Sequence, residues 1–275
     1  MLFRSELRKF KDLSILIDDE EKWKYFSLAR KINSKFSKKN RNIGYLILIP
    51  TLRCNLSCSY CQVSRAPEKA KGFDWSDETL ARFEEFVKEN CATHLKVEFQ
   101  GGEPSLRLDL VAEIIKIVKQ HTESSEFVIC SNMVNMDKDL LDLLEHENFS
   151  ISTSIDGSLS TMTKNRTFED DVSQAIFDNF NYVLKNFGPE KISALPTITE
   201  NQINHPEELI DTYRELGFQS IFLRPVNYMG FARKQHEEAS KAIEEWNTFY
   251  LKAMDLIKRA NQETYFEEFY MAMLV

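Results

Sequence analysis

Three cysteines within eight residues, Cys54, Cys58 and Cys61, are the side chains of this sequence best suited to chemistry. Their C-x3-C-x2-C spacing directly follows a short apolar run, which places them on a loop at a strand's carboxyl end. Thiolates are the ligands of iron–sulfur clusters, and spacings of two and three residues let neighbouring sulfurs converge on one cubane, leaving one iron open. Zinc is the competing chemistry. A closed zinc site takes four ligands, however, and the nearest spare ones, Cys91 and His94, stand about thirty residues away without paired spacing.

Four further groups recur at the ends of later apolar runs. Gly101, Gly102 and Glu103 close the second; paired glycines let a backbone approach a ligand more closely than a β-carbon would tolerate, and Glu103 presents a carboxylate acceptor. Ser131 and Asn132 close the third. Ser154 and Asp156 flank apolar Ile155 in the fourth, so at strand spacing both point to one face, an arrangement that suits a ribose diol. Arg224 closes the sixth, where it reads equally as a substrate or cofactor contact and as a surface ion pair. His121, His146, His205 and His236 lack ligand spacing and are assigned no chemistry.

These groups need elements to position them, and from Gly44 onward six short β-rich runs alternate with amphipathic helical segments. The runs are Tyr45 to Pro50, Leu95 to Phe99, Glu126 to Cys130, Phe149 to Ile155, Ile192 to Ile198 and Ser220 to Leu223. Ser76 with Asp77 and Glu78 makes a capped, acidic first turn ahead of Leu80, Phe83 and Val87 on one face. Val111, Ile114, Ile115 and Val118 form the next stripe; Val172, Ile176, Phe180, Val183 and Phe187 form another, closed by Gly188. Pro206 and Gly217 bracket a further helix, and the last and longest runs from about Glu238 to Ala260. Six such units without a reversal predict an α/β fold, a partial (β/α)6 barrel, because right-handed crossovers put every helix outside; a doubly wound open sheet is the alternative. In either, ligands sit at the carboxyl ends of the strands. The expected division is an N-terminal, mainly helical appendage over residues 1–43, a core over 44–262 and the start of an interrupted C-terminal segment over 263–275.

Composition narrows the class. Forty-three per cent apolar residues suit a globular core, and the longest unbroken apolar stretches, Tyr45 to Ile49 and Met271 to Val275, fall far short of the roughly 20 residues of a membrane helix. The charged N-terminus lacks a secretory pattern, so a cytoplasmic location is expected. A net charge of -8 argues against a phosphate backbone as the main partner, and five cysteines without export signals suit a metal site better than disulfides.

The cysteine triplet with Tyr60 before its third member resembles the signature of the radical S-adenosylmethionine (SAM) superfamily. That resemblance implies one [4Fe-4S] cluster on Cys54, Cys58 and Cys61, an open iron chelated by the amino and carboxylate groups of SAM, and Tyr60 near the adenine. It implies that Gly101, Gly102 and Glu103 contact the SAM amino group. The Ser-x-Asp-Gly strand end of related maturases, with an arginine about ten residues later, matches Ser154, Asp156 and Arg166, implying contacts to the ribose and carboxylate of SAM. Asn132 joins this set, and Phe222 to Val226 resembles the strand that reads the adenine edge. Family members often carry a His-Asp pair shortly before the arginine; here Met162, Thr163 and Lys164 stand there.

Glu98 to Pro104, Ser193 to Thr199, His205 to Tyr213 and Leu216 to Pro225 extend the resemblance to the His-Xaa-Ser system radical SAM maturases, over about residues 44 to 270. These belong to the peptide-modifying maturases. The implied partners are a ribosomally made precursor peptide and a low-potential electron donor such as flavodoxin or ferredoxin. The alternatives are a radical SAM enzyme acting on a small molecule or RNA, and a non-catalytic iron–sulfur module. Related maturases carry a C-terminal SPASM domain with auxiliary clusters. After Cys61 this chain has only Cys91, read as helical, and Cys130, at a strand end, both expected to be buried small apolar residues. The apolar end from Phe269 to Val275 then reads as an interrupted helix, of a truncated product or of a core that works with a partner.

Overall fold

The computed structural model describes residues 42–146, 148–227, 229–234 and 239–272. The expected N-terminal appendage lies outside the described residues except for its last two. A five-stranded sheet forms the centre, in the order β1 (Ile43–Thr51), β4 (Cys91–Gly101), β5 (Ser124–Cys130), β6 (Phe149–Thr153), β7 (Ile192–Ala194). The short strands β2 (Arg53–Cys54) and β3 (Ala66–Pro67) form a separate parallel pair around the cysteine loop. Strands β4 to β7 run parallel, with α1 (Asp77–Asn90), α2 (Leu108–His121), α3 (Lys138–Leu144) and α5 (Asp170–Phe187) among their connections, and a one-turn α4 (Leu159–Met162) between β6 and α5. Ser76 Oγ accepts from the backbone N–H of Thr79 and caps α1 as its sequence predicts.

The register explains why this sheet curls rather than lying between two helical layers. Phe99 pairs with Ile129, Ile129 with Ile151 and Ile151 with Ile192, a continuous apolar row. That row is fully buried with Val111, Ile114 and Val118 of α2, Leu140 and Leu144 of α3 and Ile176, Phe180 and Val183 of α5. The opposite face carries Glu98, Cys130 and Ser152 and is lined with polar groups. A doubly wound sheet needs both faces apolar. One apolar and one polar face is the pattern of a partial barrel with helices outside and a ligand space inside.

Three expected strands end earlier than their apolar runs. β6 stops at Thr153 because the next carbonyl, of Ser154, accepts from the Arg166 guanidinium. The fifth run pairs only over Ile192–Ala194 and is interrupted before Pro196, which has no N–H to give a ladder; it resumes as a single parallel bridge between Ile198 and Pro225. The sixth unit follows α6 (Pro206–Glu215), and its strand β8 is Ser220–Ile221. Beyond α7 (Ala239–Ala260), Glu267–Glu268 forms β9, parallel to β8. The segment after residue 262 is thus tied to the barrel by strand pairing, and the rings of Phe269 and Tyr270 rest against Phe222 at 5.2 and 4.6 Å while remaining half-exposed.

Cys91 corrects another expectation. Its N–H closes α1 by donating to the Val87 carbonyl, but the residue itself opens β4 and is only half-buried.

Candidate functional site

The cysteine loop leaves β1 at Thr51 and has little regular structure, so other elements hold it. The N–H groups of Gly102 and Glu103 donate to the carbonyls of Thr51 (3.0 Å) and Arg53 (2.7 Å). A Cβ on Gly102 would stand 2.2 Å from the Arg53 oxygen, and one on Gly101 would stand 2.6 Å from the Thr51 oxygen. The paired glycines therefore serve first to let the end of β4 lie against the backbone of the cysteine loop. This adds to the expected reason for them, close approach to a ligand, and both also line the cavity described below.

Further braces come from the segments that follow β5, β6 and β8. Asn132 Nδ2, after β5, donates to Asn55 Oδ1 at 2.7 Å. The carbonyl of Asn165, after β6, accepts from Ser59 N at 2.8 Å, and Ala232 N, after β8, donates to the Cys61 carbonyl at 2.9 Å. Asp74 clamps the loop's entry from outside: Oδ1 accepts from Thr51 Oγ1 (2.6 Å) and Arg53 Nε (2.8 Å), and Oδ2 pairs with Arg107 at 2.9 Å. Sequence reasoning did not find Asp74, because its partners lie 21 to 33 residues away in a loop without a pattern.

Cys54, Cys58 and Cys61 all open onto one cavity of about 260 Å³ at the carboxyl ends of the strands. The same walls carry Tyr60, Gly101, Gly102, Glu103, Asn132, Ser154, Arg166 and Arg224, so eleven of the twelve residues singled out in the sequence meet there. Asp156 is the exception. Fully buried behind the wall, it accepts the Thr197 N–H at 3.0 Å through Oδ1. The alternation that placed it beside Ser154 requires extended strand, and β6 has ended before either residue.

Glu103 is 1% exposed; its Oε2 accepts the Asn132 N–H at 2.7 Å and its Oε1 the Ser105 N–H at 3.1 Å. Burial pushes its pKa up against these donors. Burial likewise raises the Cys54 thiol to about 11 and pushes Cys58 up, with Arg166 opposing at Cys58. Arg166 is itself held charged: burial acts to lower its pKa, but Tyr60, Cys58 and Asp156 around it outweigh this. Asp156 is pushed up by burial, with Arg166 opposing. The Tyr60 hydroxyl, Asp156 Oδ2 and Arg166 Nε are buried without a fully formed hydrogen bond, which leaves polar capacity beside the thiols. Arg224 lines the cavity with its guanidinium over the Phe222 ring at 6.0 Å.

Cys130 also departs from expectation. It is half-buried, lines the cavity and donates to Glu98 Oε1 at 3.2 Å, instead of filling the core as an apolar side chain.

The donor set fits an iron–sulfur cluster. Among the described residues no three His, Cys, Asp or Glu side chains gather around a single-ion site. A zinc ion draws its sulfurs to about 2.3 Å, whereas a cubane holds three thiolates apart around a larger body. Three thiols opening separately onto one cavity, with adjacent polar groups unsatisfied, suit the second.

A family model described as the radical SAM superfamily matches residues 48–213. The GTP 3',8-cyclase of Sulfurimonas denitrificans is 28% identical over 209 residues, 74% of this chain and 60% of that protein. Native anSMEcpe with bound AdoMet superposes with a TM-score of 0.66 at 18% identity, covering 83% of this chain and 64% of that one. SuiB of Streptococcus suis bound to precursor peptide SuiA superposes with a TM-score of 0.60 at 15% identity, covering 96% and 60%. The chain spans less than two thirds of the length of each of these proteins.

Proposed function

The chain belongs to the radical SAM superfamily, and from that premise we propose that it cleaves SAM reductively at a [4Fe-4S] cluster held by Cys54, Cys58 and Cys61 and modifies a peptide substrate. The observation that carries this reading is the opening of all three thiols onto one cavity that Glu103 and Arg166 also line. When bound, the cluster supplies the electron that splits SAM to a 5′-deoxyadenosyl radical.

The protein's own residues hold and orient. Glu103, fixed by two backbone N–H groups, keeps acceptor capacity toward the cavity for the SAM amino group. Arg166 offers positive charge to the SAM carboxylate, Ser154 and Arg224 offer polar contacts from the far strands, Tyr60 flanks the adenine, and the backbone of Gly101 and Gly102 lies with Glu103 at the amino group. Asp156 acts behind the wall as the counter-charge of Arg166, which makes it a positioning residue.

Peptide modification rests on the shared fold with anSMEcpe and SuiB and on the sequence segments that resemble His-Xaa-Ser system maturases. With it come a precursor peptide and a low-potential donor such as flavodoxin or ferredoxin as partners, a cytoplasmic setting and a core spanning residues 44–262. No helix among the described residues is long and apolar enough to cross a membrane. A second reading, a small-molecule substrate, is favoured by the GTP 3',8-cyclase relative.

Anaerobic reconstitution tests the common premise. The expected outcome is close to one cluster per chain and 5′-deoxyadenosine on reduction with dithionite in the presence of SAM. Absence of that product from iron-loaded protein would overturn the reading, and mass spectrometry of candidate peptides against GTP would separate the two substrate classes.

A further inference from the structure

The polar face of the sheet holds a group that the binding of cluster and SAM leaves unused. Glu98, on the inner face of β4, lines the same cavity as the three thiols. Its Oε2 accepts from the Tyr45 hydroxyl of β1, and its Oε1 accepts from Gln100 Nε2 of β4 and Cys130 Sγ of β5. Donors from three adjacent strands therefore fix one rotamer. A carboxylate offers about four acceptor positions, so one remains for a donor brought in by a ligand.

All three partners are neutral side chains, and the charge of Lys96 acts on the carboxylate more weakly than their hydrogen bonds do. Burial acts to raise the Glu98 pKa, but the hydrogen bonds from Tyr45, Gln100 and Cys130 outweigh it and hold the carboxylate below its ordinary range. Tyr45 is correspondingly pushed up to about 12 by its bond to Glu98. At neutral pH this is a fixed anion, poorly suited to accept a proton as a general base and well suited to attract a cation.

Resting on the radical SAM reading above, we propose that Glu98 is the substrate-specificity residue of this cavity and selects a positively charged nitrogen group, an ammonium or guanidinium, on the molecule to be modified. The same chemistry is found on a peptide side chain and on a free amine, and the test separates them. The full chain, reconstituted and SAM-bound without reductant, is titrated with n-butylammonium, acetyl-Ala-Lys-Ala-amide and their neutral counterparts 1-butanol and acetyl-Ala-Gln-Ala-amide, followed by saturation-transfer NMR.

The wild-type protein is expected to bind at least one ammonium probe about ten-fold more tightly than its neutral counterpart. Preference for the peptide alone assigns the cation to a peptide; preference for n-butylammonium assigns it to a small amine. Glu98→Gln loses the preference, Glu98→Asp keeps part of it, and Tyr45→Phe, which removes a donor but not the charge, retains it. No preference in the wild type, an equal preference in Glu98→Gln, or a ten-fold loss of SAM affinity in Glu98→Gln, which would mean that the carboxylate faces the cofactor, overturns the proposal. The radical SAM reading fails separately, by absence of 5′-deoxyadenosine from the same wild-type sample after reduction.

Discussion

Asp74→Asn tests whether the cysteine loop is held from outside the cavity. Burial acts to raise the Asp74 pKa, but hydrogen bonds from Arg53, Thr51 and Arg107 overcome it and bring the group from 3.8 to about 2. Taken at face value, that difference corresponds to about 2.4 kcal/mol. The carboxylate is 25% exposed, and solvent screening reduces its contribution to on the order of 1 kcal/mol. Because the folded pKa is depressed, this stability is fully present above about pH 4 and is lost as pH falls toward 2. The apo wild type should therefore exceed Asp74→Asn by about 1 kcal/mol in urea denaturation at pH 7, and roughly half of that advantage should have gone by pH 3. On the reconstituted proteins the variant should also lose its cluster absorbance faster in air. A stability difference that is constant from pH 7 to pH 3, or no difference at all, would refute the clamp.

Six other substitutions separate ligand, brace and partner roles. Cys54→Ala, Cys58→Ala and Cys61→Ala should each abolish the brown chromophore and 5′-deoxyadenosine formation, whereas Cys91→Ala should keep both; iron analysis and product chromatography decide this. Gly102→Ala drives a Cβ to within 2.2 Å of the Arg53 oxygen, so it should cut iron incorporation by more than half while far-UV circular dichroism stays native. Asp156→Ala removes the buried counter-charge of Arg166 and an acceptor for the Thr197 N–H. It should lower stability by about 3 kcal/mol in urea denaturation, and a variant as stable as wild type would show that Arg166 does not depend on it.

The part of the site that could be read in the sequence is the part carried by short spacings. Cys54, Cys58 and Cys61 reach one cavity because a loop of eight residues cannot take them far apart, and Glu103 follows β4 by two residues. The placement of Asp156 on one face with Ser154 failed because alternation was extended past Thr153, where a long-range partner, Arg166, donates to the next carbonyl. The glycines have a second reason that the sequence did not show: a Cβ on either would meet the backbone at Thr51 or Arg53, about fifty residues earlier. Cys130 was assigned to the core because, at a strand end, it reads as a buried small apolar residue. The polar inner face emerges only when the register aligns Cys130 with Ser152 and places Glu98 on the same side.

Why this chemistry needs a barrel, and not merely a loop with three cysteines, follows from where the braces originate. Ordering a loop costs about 1 to 2 kcal/mol per residue in backbone entropy, and between Cys54 and Cys61 the described internal hydrogen bonds are the Cys61 N–H to the Cys58 carbonyl and the Leu56 N–H to Cys54 Sγ. Its fixed points come instead from Gly102 and Glu103 after β4, Asn132 after β5, Asn165 after β6 and Ala232 after β8. Those positions are scattered over 130 residues of sequence (102 to 232) and share only the carboxyl end of a parallel sheet. A right-handed β/α succession delivers every such end to one side. The same succession puts the helices, and with them the apolar row that stabilises the molecule, on the other face. Groups such as Glu98 and Cys130 can therefore vary with the substrate while the core that holds the cysteine loop stays intact.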